Sequence, residues 1–224
     1  MIRDRYRALE ESVRMASGGR TRVLLAVKHQ PPQAVLEALM AGATLLGHNI
    51  IQQLSSSEEA LAELAAPPHD THVIGHVQSN KARAAVTYAG TIQTVDSLKT
   101  ARRLSTVCRD LSLERGIMIQ VNSSGAQSQF GLDPADVPAL ADEIRALPGL
   151  TLTGLMTIGA NTDDIAAVRA SFATTRKLSD QLRAEGHDCR ELSMGMSNDW
   201  QIAVDEGSTM IRVGRQVFGE RDRP

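Results

Sequence analysis

Eight short apolar runs, spread along the whole chain with longer amphipathic stretches between them, set the tightest limit on how this sequence can fold. The runs are RVLLAVK (22–28), TLLGHN (44–49), HVIGHV (72–77), TIQTVD (91–96), GIMIQVN (116–122), LTLTGLMT (150–157), ELSMGM (191–196) and TMIRVG (209–214). They are rich in Val, Ile, Thr, Leu and Met, and most end on Gly, Asn, Asp or Lys. Near-continuous apolar runs of this length suit parallel strands covered on both faces, since alternation would expose every second residue of a one-sided sheet.

The intervening stretches read as helices. DPADVPALADEIRALPG (133–149) has Asp133 as N-cap, Pro134 in the first turn, an apolar stripe of Val137, Leu140, Ile144 and Leu147, and Pro148-Gly149 as the stop. DSLKTARRLSTVCRDL (96–111) puts Leu98, Ala101, Leu104, Val107 and Leu111 on one stripe. TDDIAAVRASFATTRKLSDQLRAEG (162–186) opens with two acids, carries Ile165, Val168, Phe172, Leu178 and Leu182, and stops at Gly186. In SSSEEALAELAAPP (55–68) a serine with a glutamate three positions on predicts a helix start. Strand–helix repetition without a linker or composition break predicts an α/β fold, a single (β/α)8 TIM barrel spanning 1–224, with an extra helix over residues 1–17 before the first strand. An open doubly wound sheet is the rival, and would usually need fewer strands.

Composition narrows the class. With 224 residues, 42% of them hydrophobic, the chain can bury a substantial core. The net charge is -2 and no basic run exceeds two residues, which speaks against nucleic acid and against an anionic membrane surface. The charged N-terminus lacks the apolar core of a secretory signal, and no run is long enough to span a bilayer. Cys108 and Cys189 fit no metal or redox spacing, and the sequon at Asn122-Ser123-Ser124 reads as chance without export. His72 and His76 would lie far apart along one strand face rather than meet as metal ligands. A soluble cytoplasmic protein, monomeric by default, is the expectation.

In a barrel of this kind chemistry gathers at the C-terminal strand ends. Alternation puts Leu24, Ala26 and Lys28 on one face of the first strand, and Met210 and Arg212 on one face of the eighth. If both faces point inward, Lys28 and Arg212 are neighbours across the mouth. Lys28 has two readings: an exposed residue whose stem lies over apolar surface, or a Schiff-base lysine whose partial burial near Arg212 favours the neutral amine that attacks an aldehyde. The seventh and eighth strand ends, GMSND and VGRQVFG, place Gly195 and Gly214 just before short helices. Such glycines either serve tight turns or let backbone N–H groups approach an anion. Two of these loops facing a lysine favour a phosphate-bearing aldehyde, and pyridoxal 5′-phosphate is the obvious ligand with both groups.

Several segments then match a known family in order from residue 24 to 222: LLAVKHQP, GHNIIQQ, HVIGHVQSNKAR, TVDSL, IQVN, GLMTI, LSMGMSNDWQIAVDEGSTMIRVG and VFGERD. The sequence resembles the pyridoxal phosphate homeostasis protein family, whose fold is like the N-terminal barrel of alanine racemase (fold type III). The resemblance implies that Lys28 forms the Schiff base with pyridoxal 5′-phosphate and that Asn49 sits beside the ring. It implies that Ser197 and Gly214 bind the phosphate, that Met196 and Arg215 belong to the same cofactor site, and that Arg212 faces the pyridine nitrogen. An arginine there stays protonated, which keeps that nitrogen unprotonated and the cofactor a weaker electron sink than an aspartate would.

The chain also departs from the pattern. His48 stands where the family has glutamate, Arg215 where it has a phosphate-binding threonine, Gln129 where many members have lysine, and Gly159 where proline is common. Three functions fit: a protein that buffers the cofactor or delivers it to pyridoxal-phosphate-dependent apoenzymes, an amino-acid racemase, and a Schiff-base aldolase acting on a phosphorylated sugar. Alanine racemases draw a second base, a tyrosine, from an appended domain, and this sequence ends just after the last predicted barrel helix. The carrier reading is therefore the expectation.

Overall fold

The eight apolar runs become eight parallel strands that close on themselves in sequence order, β1 through β8, with β8 pairing back onto β1. The computed structural model describes residues 1–127 and 129–219. The strands are β1 (Arg22–Ala26), β2 (Leu45–His48), β3 (Asp70–Val73), β4 (Thr91–Val95), β5 (Arg115–Gln120), β6 (Leu150–Met156), β7 (Glu191–Ser193) and β8 (Met210–Val213). Helix α1 (Ile2–Ser17) precedes them. The crossovers carry α2 (Pro32–Met40), α3 (Ile51–Glu63), α4 (Ala82–Tyr88), α5 (Leu98–Leu111), α6 (Val137–Arg145), α7 (Ile165–Ala184) and α8 (Trp200–Asp205), and α9 (Arg215–Phe218) follows β8. The α/β barrel expected from the alternation is the fold observed.

Period-2 alternation sorts the side chains. Leu24, Leu45, Met118, Met156 and Met210 fill the barrel interior. Their neighbours Val23, Leu25, Leu46, Ile211 and Val213 pack outward against helices, as do Val73, Ile92, Ile117 and Leu155 in a larger layer. Phe172 on α7 is fully buried there, worth about 1.5–3 kcal/mol relative to exposure. A register shift between Ile92 and Val95 on β4 lets both point outward while Gln93 points inward.

Local signals were followed with some exceptions. Ser97 Oγ caps α5 and Asp164 caps α7. Asp133 caps a 3-10 turn over Pro134–Asp136, so α6 itself begins at Val137. The serine–glutamate signal in 55–59 does not start a helix. Helix α3 begins at Ile51, because Ile51 and Leu54 are buried apolar anchors that extend it one turn earlier. Ile165, placed on the apolar stripe of α7, is 64% exposed at the first position of that helix. Of VFGERD, residues 220–222 lie outside the described residues. Among the described residues, no helix is long and apolar enough to cross a membrane, and no three His, Cys, Asp or Glu side chains gather to hold a metal ion.

Candidate functional site

Strand β1 stops at Ala26, two residues before Lys28. Its last ladder bond runs from Val27 N–H to the Gly47 carbonyl (3.0 Å), and the chain then turns, with Gln30 N–H donating to the Val27 carbonyl at 3.1 Å. Lys28 therefore sits in a turn at the barrel mouth, partly buried. His29, next in that turn, has a positive φ of 60°, an uncommon state for a residue with a side chain. Two contacts to α3 hold it: its backbone N–H donates to Gln53 Oε1 (3.4 Å), and its Nδ1 lies 3.0 Å from Gln53 Nε2. The GHNIIQQ segment thus contributes Gln53 as the clamp of the Lys28 turn, a role its polarity alone did not reveal.

Lys28 opens onto a cleft of about 2190 Å3 at the C-terminal end of the barrel. Asn49, Met196, Ser197, Arg212, Gly214 and Arg215 line the same cleft, so every site residue expected from the sequence meets there. Arg212 forms its buried floor. Nη1 donates to the Ser193 carbonyl (2.6 Å) and to Ser193 Oγ (2.8 Å), and Nη2 donates to the Thr157 carbonyl (2.7 Å). A buried cation requires such acceptors. The remaining donors, Nε–H and one Nη2–H, have no partner among the described residues. Burial pushes the guanidinium down to about 10, with the Asp199 carboxylate acting against that shift. Asp199 is itself held above the usual carboxylate range by burial, opposed by the Met196 N–H (2.6 Å) and by Arg212.

The loops after β7 and β8 form one wall. Gln216 Nε2 donates to the Ser197 carbonyl at 2.9 Å and ties the two loops together. Among the described residues, the backbone N–H groups of Ser197, Asn198, Arg215 and Gln216 have no acceptor. Gly214 passes so close to β1 that a Cβ would lie 2.9 Å from the Ala26 carbonyl oxygen. Gly195 has φ +95, and a Cβ there would meet Ala203 Cβ at 2.6 Å. Both glycines are required by the backbone path, and that path leaves the N–H groups free. Arg215 is exposed at the start of α9.

The departures from the family pattern separate cleanly. Asn49 faces the cleft, but His48 points outward, where its Nε2 lies 3.3 Å from Glu58 Oε1 on α3, poorly aligned for a hydrogen bond. His69 Nε2 (3.2 Å) and Thr71 Oγ1 (3.1 Å) complete the group around Glu58. The residue in place of the family's acid thus lies outside the cleft. Gln129 and Gly159 both line the cleft and bond each other. Of the remaining histidines singled out, His72 is buried inside the barrel and His76 is exposed, stacked on Phe130 at 5.5 Å. Ser193, Gln53 and Asp199 were not expected in the site. A serine at an inward position of the apolar run ELSMGM was the one available signal.

Residues 2–222 match the family model described as alanine racemase, N-terminal domain. The chain is 42% identical over 200 residues to the pyridoxal phosphate homeostasis protein of Pseudomonas aeruginosa, covering 89% of this chain and 84% of that one. It belongs to this family. The human protein of the same name is 37% identical over 235 residues, covering 96% of this chain and 85% of the human one. Among solved structures, PipY of Synechococcus elongatus superposes with a TM-score of 0.90 without PLP and 0.88 with PLP bound. The identities are 33% and 34%, and each match covers 98% of this chain and all of PipY. Alanine racemase from Corynebacterium glutamicum (TM-score 0.79, 17% identity) shares the fold over 99% of this chain and 61% of its own.

Proposed function

We propose that this protein binds pyridoxal 5′-phosphate in the barrel-mouth cleft and buffers or delivers it, without efficient turnover of its own. The observation that carries this reading is the convergence of one lysine, one donor-only arginine and two tied loops with free N–H groups on a single cleft. That donor set suits a ligand with an aldehyde, a ring nitrogen and a dianionic phosphate. The relatives that carry the homeostasis name, and PipY with PLP bound, support it.

Lys28 would supply the amine. Ser197, Gly214 and Arg215, with the backbone N–H groups beside them, would hold the phosphate, and Met196 would pack at its edge. Asn49 would lie along the ring. Arg212 would offer one of its two free N–H donors to the single lone pair of the ring nitrogen, and a guanidinium has no proton to give up there. Bound in this way, the cofactor would supply an aldehyde carbon beside the Lys28 amine and a weak electron sink.

The breadth of the cleft, well above the ~300–1,000 Å3 of a closed small-molecule pocket, favours exchange with solvent or with a recipient apoenzyme. Neither tyrosine is placed to act as a second base. Tyr6 is buried on α1, and Tyr88 on α4 donates to Glu59. A cytoplasmic monomer handing cofactor to apoenzymes completes the proposal. Titration with pyridoxal 5′-phosphate, followed by visible absorption, tests it: saturable colour in the wild type and loss of it in Lys28→Ala are expected. Racemase or transaminase turnover at enzyme-like rates would overturn the carrier reading.

A further inference from the structure

Three polar side chains inside the barrel, His72, Gln93 and Ser193, form one chain that ends on Arg212. Nη1 of Arg212 donates to Ser193 Oγ at 2.8 Å, and Ser193 Oγ donates to Gln93 Oε1 at 2.6 Å. On the other side of the amide, Gln93 Nε2 lies 2.7 Å from His72 Nδ1. Gln93 is fully buried, Ser193 fully buried and His72 6% exposed.

The direction of this chain is forced. Arginine has only donors, so Ser193 Oγ accepts from it and must send its single proton to Gln93. That fixes the carbonyl oxygen of the amide toward Ser193 and the NH2 toward His72. His72 Nδ1 must then carry a lone pair, with its proton on Nε2. A proton on Nδ1 would set N–H against N–H. An amide flip to relieve this would leave the Ser193 hydroxyl facing donors on both sides.

We propose that Gln93 is a positioning residue for Arg212: its amide fixes the polarity of a buried hydrogen-bond chain from β3 to β8 and so holds the guanidinium with two donors turned to the cleft. The inference rests on the reading that Arg212 meets the ring of the cofactor. Burial supports it, because a charged imidazole at this depth is disfavoured and His72 is held down at about 4. The charged groups acting on His72 are Arg22, Asp70 and Glu191, the first residues of β1, β3 and β7, with Arg22 and Glu191 paired to each other at 2.8 Å.

A double-mutant cycle on the full chain tests it, read as the dissociation constant for pyridoxal 5′-phosphate by absorbance titration. Gln93→Leu should weaken binding by about tenfold, the upper end for one lost hydrogen bond between neutral groups. The same substitution in an Arg212→Ala background should change it little, because the group through which Gln93 acts is gone. An equal loss in both backgrounds, or no loss in either, would overturn the inference. If Gln93→Leu does not fold, Gln93→Met, which keeps the length of the side chain but lacks the amide, takes its place in the cycle. Nitrogen-15 spectra of the wild type give a second readout: His72 should be the neutral tautomer protonated at Nε2, and an Nδ1–H signal would contradict the forced direction. A wild type that takes up no cofactor at all would instead overturn the reading of the cleft, and this inference with it.

Discussion

Gln129 Nε2 donates a 2.8 Å hydrogen bond to the carbonyl oxygen of Gly159, joining the loop after β5 to the loop after β6. Both are among the residues that the sequence reading set apart from the expected family pattern, and they are thus in contact with each other. Gly159 has φ +82, which the ring of proline cannot adopt, and a Cβ there would lie 2.7 Å from Phe172. Restoring the common proline with Gly159→Pro should therefore destabilise the fold by about 3 kcal/mol, and Gly159→Ala by roughly 1–3 kcal/mol. Urea midpoints measure this; unchanged midpoints would contradict the backbone geometry.

Restoring the family's acid should be equally unfavourable here. His48→Glu would set a second carboxylate beside Glu58, in a space where only 4% of the His48 side chain is exposed. Like charges about 4 Å apart near a protein surface repel by ~4 kcal/mol. The expected result is a clear loss of stability at pH 7 that recovers as the pH is lowered, with cofactor affinity unchanged because the side chain points away from the cleft. An affinity change at full folding would mean that position 48 reaches the site after all.

Stability should peak near pH 6.5. His72 titrates at about 4 in the fold against an ordinary 6.5, so the unfolded chain binds that proton first. Its contribution, on the order of 3 kcal/mol, is present above pH 6.5 and lost as the pH falls through 4. Burial alone would raise Glu58, but His48 and His69 hold it at about 2, so its contribution is lost only below 4.5. His69 is raised by its bond to Glu58, and that contribution fades as the pH rises through its elevated value. Denaturant titrations across this range check the shape, and His72→Gln should flatten the limb between pH 6.5 and 4.

Gln53→Ala should loosen the Lys28 turn without unfolding the barrel. It removes both contacts that hold His29 at positive φ, and leaves the strand ladder intact. Uptake of pyridoxal 5′-phosphate should slow and weaken by about tenfold, while stability falls by about 1 kcal/mol. Unaltered uptake would show that the turn needs no clamp.

How much of this was legible in the sequence depended on whether a residue acts within its own element. Strands and their inward faces followed from local apolar patterning; Lys28, Arg212 and Gly214 were read from their places at or just past strand ends and Asn49 and Ser197 from the resemblance, and all five line one cleft. Ile165 was misplaced because a helix period gives a face but not which end of the helix opens to a cleft. Helix α3 starts early because burial of Ile51 and Leu54 outweighs a capping signal inside it. The Arg212 anchors come from β6 and β7, and the chain through Gln93 crosses from β4. Such partners depend on barrel closure, which no local pattern encodes.

The most direct test of the account is to saturate the protein with pyridoxal 5′-phosphate, reduce it with borohydride and map the modified peptide by mass spectrometry. The account predicts a single reduced adduct, on Lys28. An adduct on Lys81, Lys99 or Lys177, or none, would contradict it, and Lys28 would then be an ordinary residue of the turn after β1.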